Sequence, residues 1–92
     1  MADTKRSIRV QVLRHEKTGL LAAISPDLHG LVLHGHSHDE IREKLPGAIR
    51  DLMEAEGDIV TALDVELDDR LSRAGYGLPS FIANASLASA RS

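Results

Sequence analysis

Apolar and polar residues alternate from Ile8 to Val12, with Ile8, Val10 and Val12 on one side of the chain and Arg9 and Gln11 on the other. A period of two marks a half-buried strand, and here it predicts one over residues 7–15. The connector Glu16-Lys17-Thr18-Gly19 is short, polar and ends in glycine, so the next strand returns antiparallel as a hairpin. That second strand, residues 20–25, is apolar on both faces, which suits an interior position. The turn Ser25-Pro26-Asp27-Leu28-His29-Gly30 follows, and then a third strand over residues 31–36. Pro26 presets φ in this turn, Asp27 can close the loop on nearby amides, and Gly30 supplies a positive φ at the exit.

The period then changes from two to 3.6. Ile41, Leu45, Ala48, Ile49 and Leu52 fall on one helical face, with Arg42, Glu43, Arg50, Asp51 and Glu54 opposite. Ser37 and Glu40 have the spacing of a capping box, and Asp39 and Glu40 place negative charge at the positive end of the helix dipole. Pro46 interrupts the run and predicts a kink or a split, while Gly57 predicts the stop. Ile59, Thr61, Leu63, Val65 and Leu67 next alternate with Val60, Ala62, Asp64, Glu66 and Asp68, a fourth strand with one wet face. From Asp69 the pattern breaks. Gly75, Gly77 and Pro79 punctuate a stretch that holds Tyr76, Leu78, Phe81 and Ile82 before an Ala/Ser-rich end. The expected organisation is an α+β domain over residues 1–68, β-β-β-α-β in two layers with one helix on one face of the sheet. Residues 69–92 form a C-terminal extension, partly docked or disordered.

Composition narrows the function classes. A chain of 92 residues supports one modest core, and Tyr76 and Phe81 are its only aromatics, so that core is aliphatic. There is no cysteine, which removes disulfides and thiolate metal sites and suits a reducing cytoplasm. No stretch approaches the ~20 apolar residues of a membrane span, and no apolar run follows Lys5 and Arg6 as in a signal peptide. The formal charge of −3, without a basic stripe or stacking aromatics, argues against direct nucleic-acid binding and for a basic protein partner.

Several of these features occur together. The loop Ser25-Pro26-Asp27-Leu28-x-Gly30, Gly35 ahead of the helix, and the run Ile41-Arg42-Glu43-Lys44-Leu45-Pro46-x-Ala48-Ile49 with Leu52 and Glu54 beyond it resemble the HicB-like antitoxin family. The likeness covers Ile8 to Leu67; His29 departs from it, standing where the family usually carries a second proline. The resemblance implies a partial ribonuclease-H-like sheet and a bacterial toxin–antitoxin role, in which the domain occupies the active surface of a small HicA-like mRNA-cleaving toxin. The family's usual DNA-binding domain has no counterpart in residues 69–92, so the expectation is a stand-alone HicB-like domain. Nuclease chemistry is not expected with the fold, because the first strand carries no Asp or Glu to hold metal ions.

The candidate partner-binding residues are Asp64, Glu66 and Asp68, an acidic row suited to a basic toxin, with Tyr76, Leu78 and Phe81 as apolar anchors. Ser25, Pro26, Asp27 and Gly30 are read as a structural loop. One rival reading is a small metal-dependent hydrolase: His34, His36 and His38 could supply three imidazoles to zinc or nickel. Solvent-facing histidines at a strand-to-helix junction are the plainer interpretation, and neither a cofactor nor a catalytic residue is expected. His15 and His29 lack a Ser or Cys partner at a suggestive spacing for general-base chemistry. Finally, a second strand apolar on both faces asks for cover that one helix cannot give, which predicts a homo-oligomer. An orphan interaction domain is the third reading.

Overall fold

A computed structural model describes residues 4–75 and 77–88. The expected strand–strand–strand–helix–strand order is present: β1 (Thr4–Arg14), β2 (Leu21–Ile24), β3 (Val32–Gly35), α1 (His38–Ala55) and β4 (Ile59–Asp68). Two elements follow, a short α2 (Arg70–Arg73) and a fifth strand, β5 (Ser80–Ala88). All five strands form one antiparallel sheet in the order β3-β2-β1-β5-β4. The last strand is therefore not an appendage to a four-stranded domain. It enters the sheet between β1 and β4 and pairs with both.

The hairpin of β1 and β2 closes where the polar connector predicted, with His15 N–H donating to Leu20 O at 2.8 Å. Strand alternation then decides which side chains face α1. Ile8, Val10 and Val12 of β1, Leu21 and Ala23 of β2, and Phe81, Ala83, Ala85 and Leu87 of β5 are all buried on that side. From the helix come Ile41, Leu45, Ile49 and Met53, spaced i, i+4 along one stripe. Each of these large aliphatics contributes about 1.5–3 kcal/mol when fully buried. Leu28, from the turn, is fully buried among them. The sheet curls about the helix, which comes closest to β4, β3 and β2.

α1 runs through Pro46 as one helix, so of the two outcomes predicted there the split does not occur. Its start follows half of the capping box: Ser37 Oγ accepts from Glu40 N–H at 3.1 Å. The Glu40 carboxylate reaches one residue further back than expected and accepts from His36 N–H. Gly35 makes room for this approach, since a Cβ there would lie 2.9 Å from Glu40 Oε2 and 3.1 Å from Ile41 Cδ1. The helix ends in a Schellman motif, with Asp58 N–H donating to Met53 O, Gly57 N–H donating to Glu54 O, and Gly57 at φ +97°.

β4 departs from simple alternation. A bulge between Val60 and Ala62 switches the facing of the strand. Val60 is buried and Ile59 is 50% exposed, whereas Leu63 and Val65 turn back toward the core. Strict period-two reading put Ile59 on the same face as Leu63; the extra residue at the bulge separates them.

Candidate functional site

The helix covers one face of the sheet, and the opposite face divides into two regions. At one end Leu13, Ala22, Ile24 and Val32 come side by side through the β1–β2–β3 register, and Leu13 and Val32 are 52% and 58% exposed. At the other end the outward row is polar: Lys5, Ser7 and Arg9 on β1, then Ser80, Asn84 and Ser86 with Ile82 on β5, then Ala62, Asp64, Glu66 and Asp68 on β4. Ser7 Oγ donates to Asn84 Oδ1 at 3.0 Å across that floor.

The turn after β2 is pinned to this face by a long-range clamp. The hairpin register pairs Gln11 with Ile24, so two residues further on Arg9 lies opposite Pro26. β2 has already ended at Ile24, which would leave the Arg9 N–H without a strand carbonyl to donate to. Asp27 takes over: its Oδ2 accepts from Arg9 N at 2.9 Å and Nε at 2.9 Å, and its Oδ1 accepts from Nη2 at 3.0 Å. Such a bidentate guanidinium–carboxylate pair fixes orientation as well as charge. The Arg9 hydrogen bonds hold the Asp27 carboxyl down from an ordinary 3.8 to about 2. Arg6 also donates to the Asp27 carbonyl oxygen. Ser25 Oγ accepts from Asp27 N–H at 3.1 Å, and Gly30 adopts φ +88° at the exit, as a structural loop requires. Asp27 thus closes the loop on β1 instead of on its own amides.

A depression of about 210 Å³ opens beside this clamp, lined by Arg9, Pro26, Asp68, Arg70, Ser80 and Ile82 among others. Its far wall is a second pair, Arg70 Nε donating to Asp68 Oδ1 at 2.9 Å, which holds the Asp68 carboxyl below its ordinary range. Asp64 and Glu66 differ from Asp68: both are exposed, and neither forms an ion pair among the described residues.

The remaining candidates scatter. Phe81 is a correction: at 1% exposure it points into the core from β5 and is not presented to a partner. Its place in an interior strand is the cause. Leu78 is half-buried and packs on the core, and Tyr76 lies outside the described residues. The imidazoles of the metal reading are not brought together, and the described residues hold no group of three metal-ligating side chains. His34 and His36 are exposed, whereas His38 turns inward, its Nε2 3.3 Å from Pro79 O and its ring beside Phe81. Arg9 is the residue that local reading missed. Counting the hairpin register back from the connector would have placed it opposite Pro26.

A family model described as Domain of unknown function (DUF1902) matches residues 7–74, from β1 through α2. The chain belongs to this family. No curated protein and no solved structure matches it. In this DUF1902 protein the matched segment includes both members of the Arg9–Asp27 clamp and the acidic row on β4, and it stops short of β5. No helix among the described residues is long and apolar enough to cross a membrane.

Proposed function

We propose that this DUF1902 protein is a HicB-like, antitoxin-type interaction module that binds and neutralises a small basic HicA-like toxin in the cytoplasm. The observation that carries the reading is the outward row on β4, where Asp64 and Glu66 stand exposed without ion pairs among the described residues. Uncompensated carboxylates on a rigid strand steer a basic partner and fix its register more than they add raw affinity. The partial ribonuclease-H-like likeness belongs to the same reading, supported by the β1–β2–β3 meander with α1 crossing after it. Self-association is supported by the apolar outer patch of Leu13, Ala22, Ile24 and Val32. The deciding experiment is co-expression and pull-down with the product of the adjacent reading frame, together with relief of that product's toxicity. Association that weakens with added salt is the expected result. A neighbour that is not a small basic protein, or one that fails to associate, overturns the assignment.

A further inference from the structure

β4 is an edge strand, bonded to β5 on one side only. Along residues 62–68 it pairs regularly with β5, from Ala62↔Ser86 to Asp68↔Ser80, so every second N–H and C=O points away from the sheet. Among the described residues no loop, cap or side chain hydrogen-bonds to that outer row from Leu63 to Leu67. Unpaired edges of this length are templates for pairing, and proteins normally shorten, bulge or cover them. The bulge here lies at Val60/Ala62 and bounds the free stretch without interrupting it.

The side chains state what could pair there. Toward the outer face the edge presents Asp64 and Glu66, and toward the helix side Leu63, Val65 and Leu67, of which Leu67 is still 47% exposed. A second copy of the same strand fits poorly. Antiparallel self-pairing centred on Val65 would set Asp64 directly opposite Glu66 of the other copy, twice, and like charges across a strand pair are destabilising.

We propose that β4 captures its partner by strand addition. An extended segment of alternating basic and apolar residues pairs with the free edge, its cations over Asp64 and Glu66 and its apolar side chains over Val65 and Leu67. The mode rests on the reading that a basic protein docks on this side of the molecule. Main-chain hydrogen bonds then supply affinity, and the alternation supplies specificity and register.

The test titrates the full chain with a short synthetic peptide of alternating lysine and valine, read residue by residue from backbone amide shifts and exchange. Protection confined to residues 62–68 is expected. Replacing the peptide's lysines by glutamate, or making Asp64→Lys with Glu66→Lys in the protein, should weaken binding about tenfold or more. Peptides N-methylated on the lysines alone or on the valines alone separate strand addition from plain charge attraction. One of the two should lose binding, because one set of N–H groups faces β4. Equal binding by both, or shifts that map to β3 or α1, overturns the proposal. A complex with the adjacent reading frame's product that leaves β4 amides unprotected would sink strand addition and leave the antitoxin reading intact. Peptide protection of β4 without any association of that product would do the reverse.

Discussion

The two edges of the sheet are managed differently. β3 is only four residues long, and two side chains of α1 reach backbone groups along its free edge. Lys44 Nζ donates to His34 O at 3.1 Å, the Glu40 carboxylate accepts from His36 N–H, and the two side chains pair with each other at 3.5 Å. A lysine and a glutamate from one helix thus occupy backbone groups that a foreign strand would need. The bond from His36 N–H also holds the Glu40 carboxyl below its ordinary range. β4 is ten residues long, and its outer row between Leu63 and Leu67 has no such cover among the described residues. Where one edge is guarded and the other is open, the open one is the surface available for pairing.

The sharpest way to break the β4 side is to loosen the strand that holds it. β4 joins the sheet through β5 alone, and Phe81 anchors β5 in the core. Phe81→Ala should cost about 3–5 kcal/mol in denaturant unfolding, with β4 amides exchanging faster as the strand loses its support. On the β3 side, Gly30→Ala forces a side chain into φ +88° at the entry to the strand. A loss of about 1–2 kcal/mol is expected, read from the unfolding midpoint.

Asp27→Asn tests the clamp that positions the same loop. Because the folded carboxyl titrates near 2, below its ordinary 3.8, its stabilising effect is complete above that ordinary value and is lost as pH falls through about 2. Wild type should therefore unfold later than Asp27→Asn near neutral pH, and the gap should close as pH approaches 2. A gap that stays constant on acidification would show that the loop is held by something other than the ionised carboxylate. The smallest effect belongs to Lys44→Ala, about 0.5 kcal/mol or less in stability. Its value lies in uncovering His34 O: sedimentation should show increased self-association through β3, and unchanged behaviour would mean that Lys44 does not guard that edge.

The first three strands, the helix and β4 were readable because β1, α1 and β4 beyond its bulge carry a clear period, while turn residues on either side bound the apolar runs of β2 and β3. β5 escaped because its inward row contains Ala83 and Ala85, which are buried yet too small to stand out against Ile82, Asn84 and Ser86. Its identity comes from pairing with strands far away in sequence, and no local pattern encodes that. The same holds for Phe81, which looked like an exposed anchor beside Gly and Pro punctuation but lies in an interior strand. Asp27 was legible as a loop residue; its partner Arg9 was not, since 18 residues separate them and only the hairpin register joins them. The acidic row on β4 was visible as alternation. That this strand ends the sheet followed only from the insertion of β5 beside it.

Backbone amide exchange of the protein bound to its neighbour gene's product tests the central claim most directly. Slowed exchange along residues 62–68, with β3 amides as in the free protein, is the predicted result. Protection over β3 or the exposed side of α1, with β4 unchanged, would contradict it.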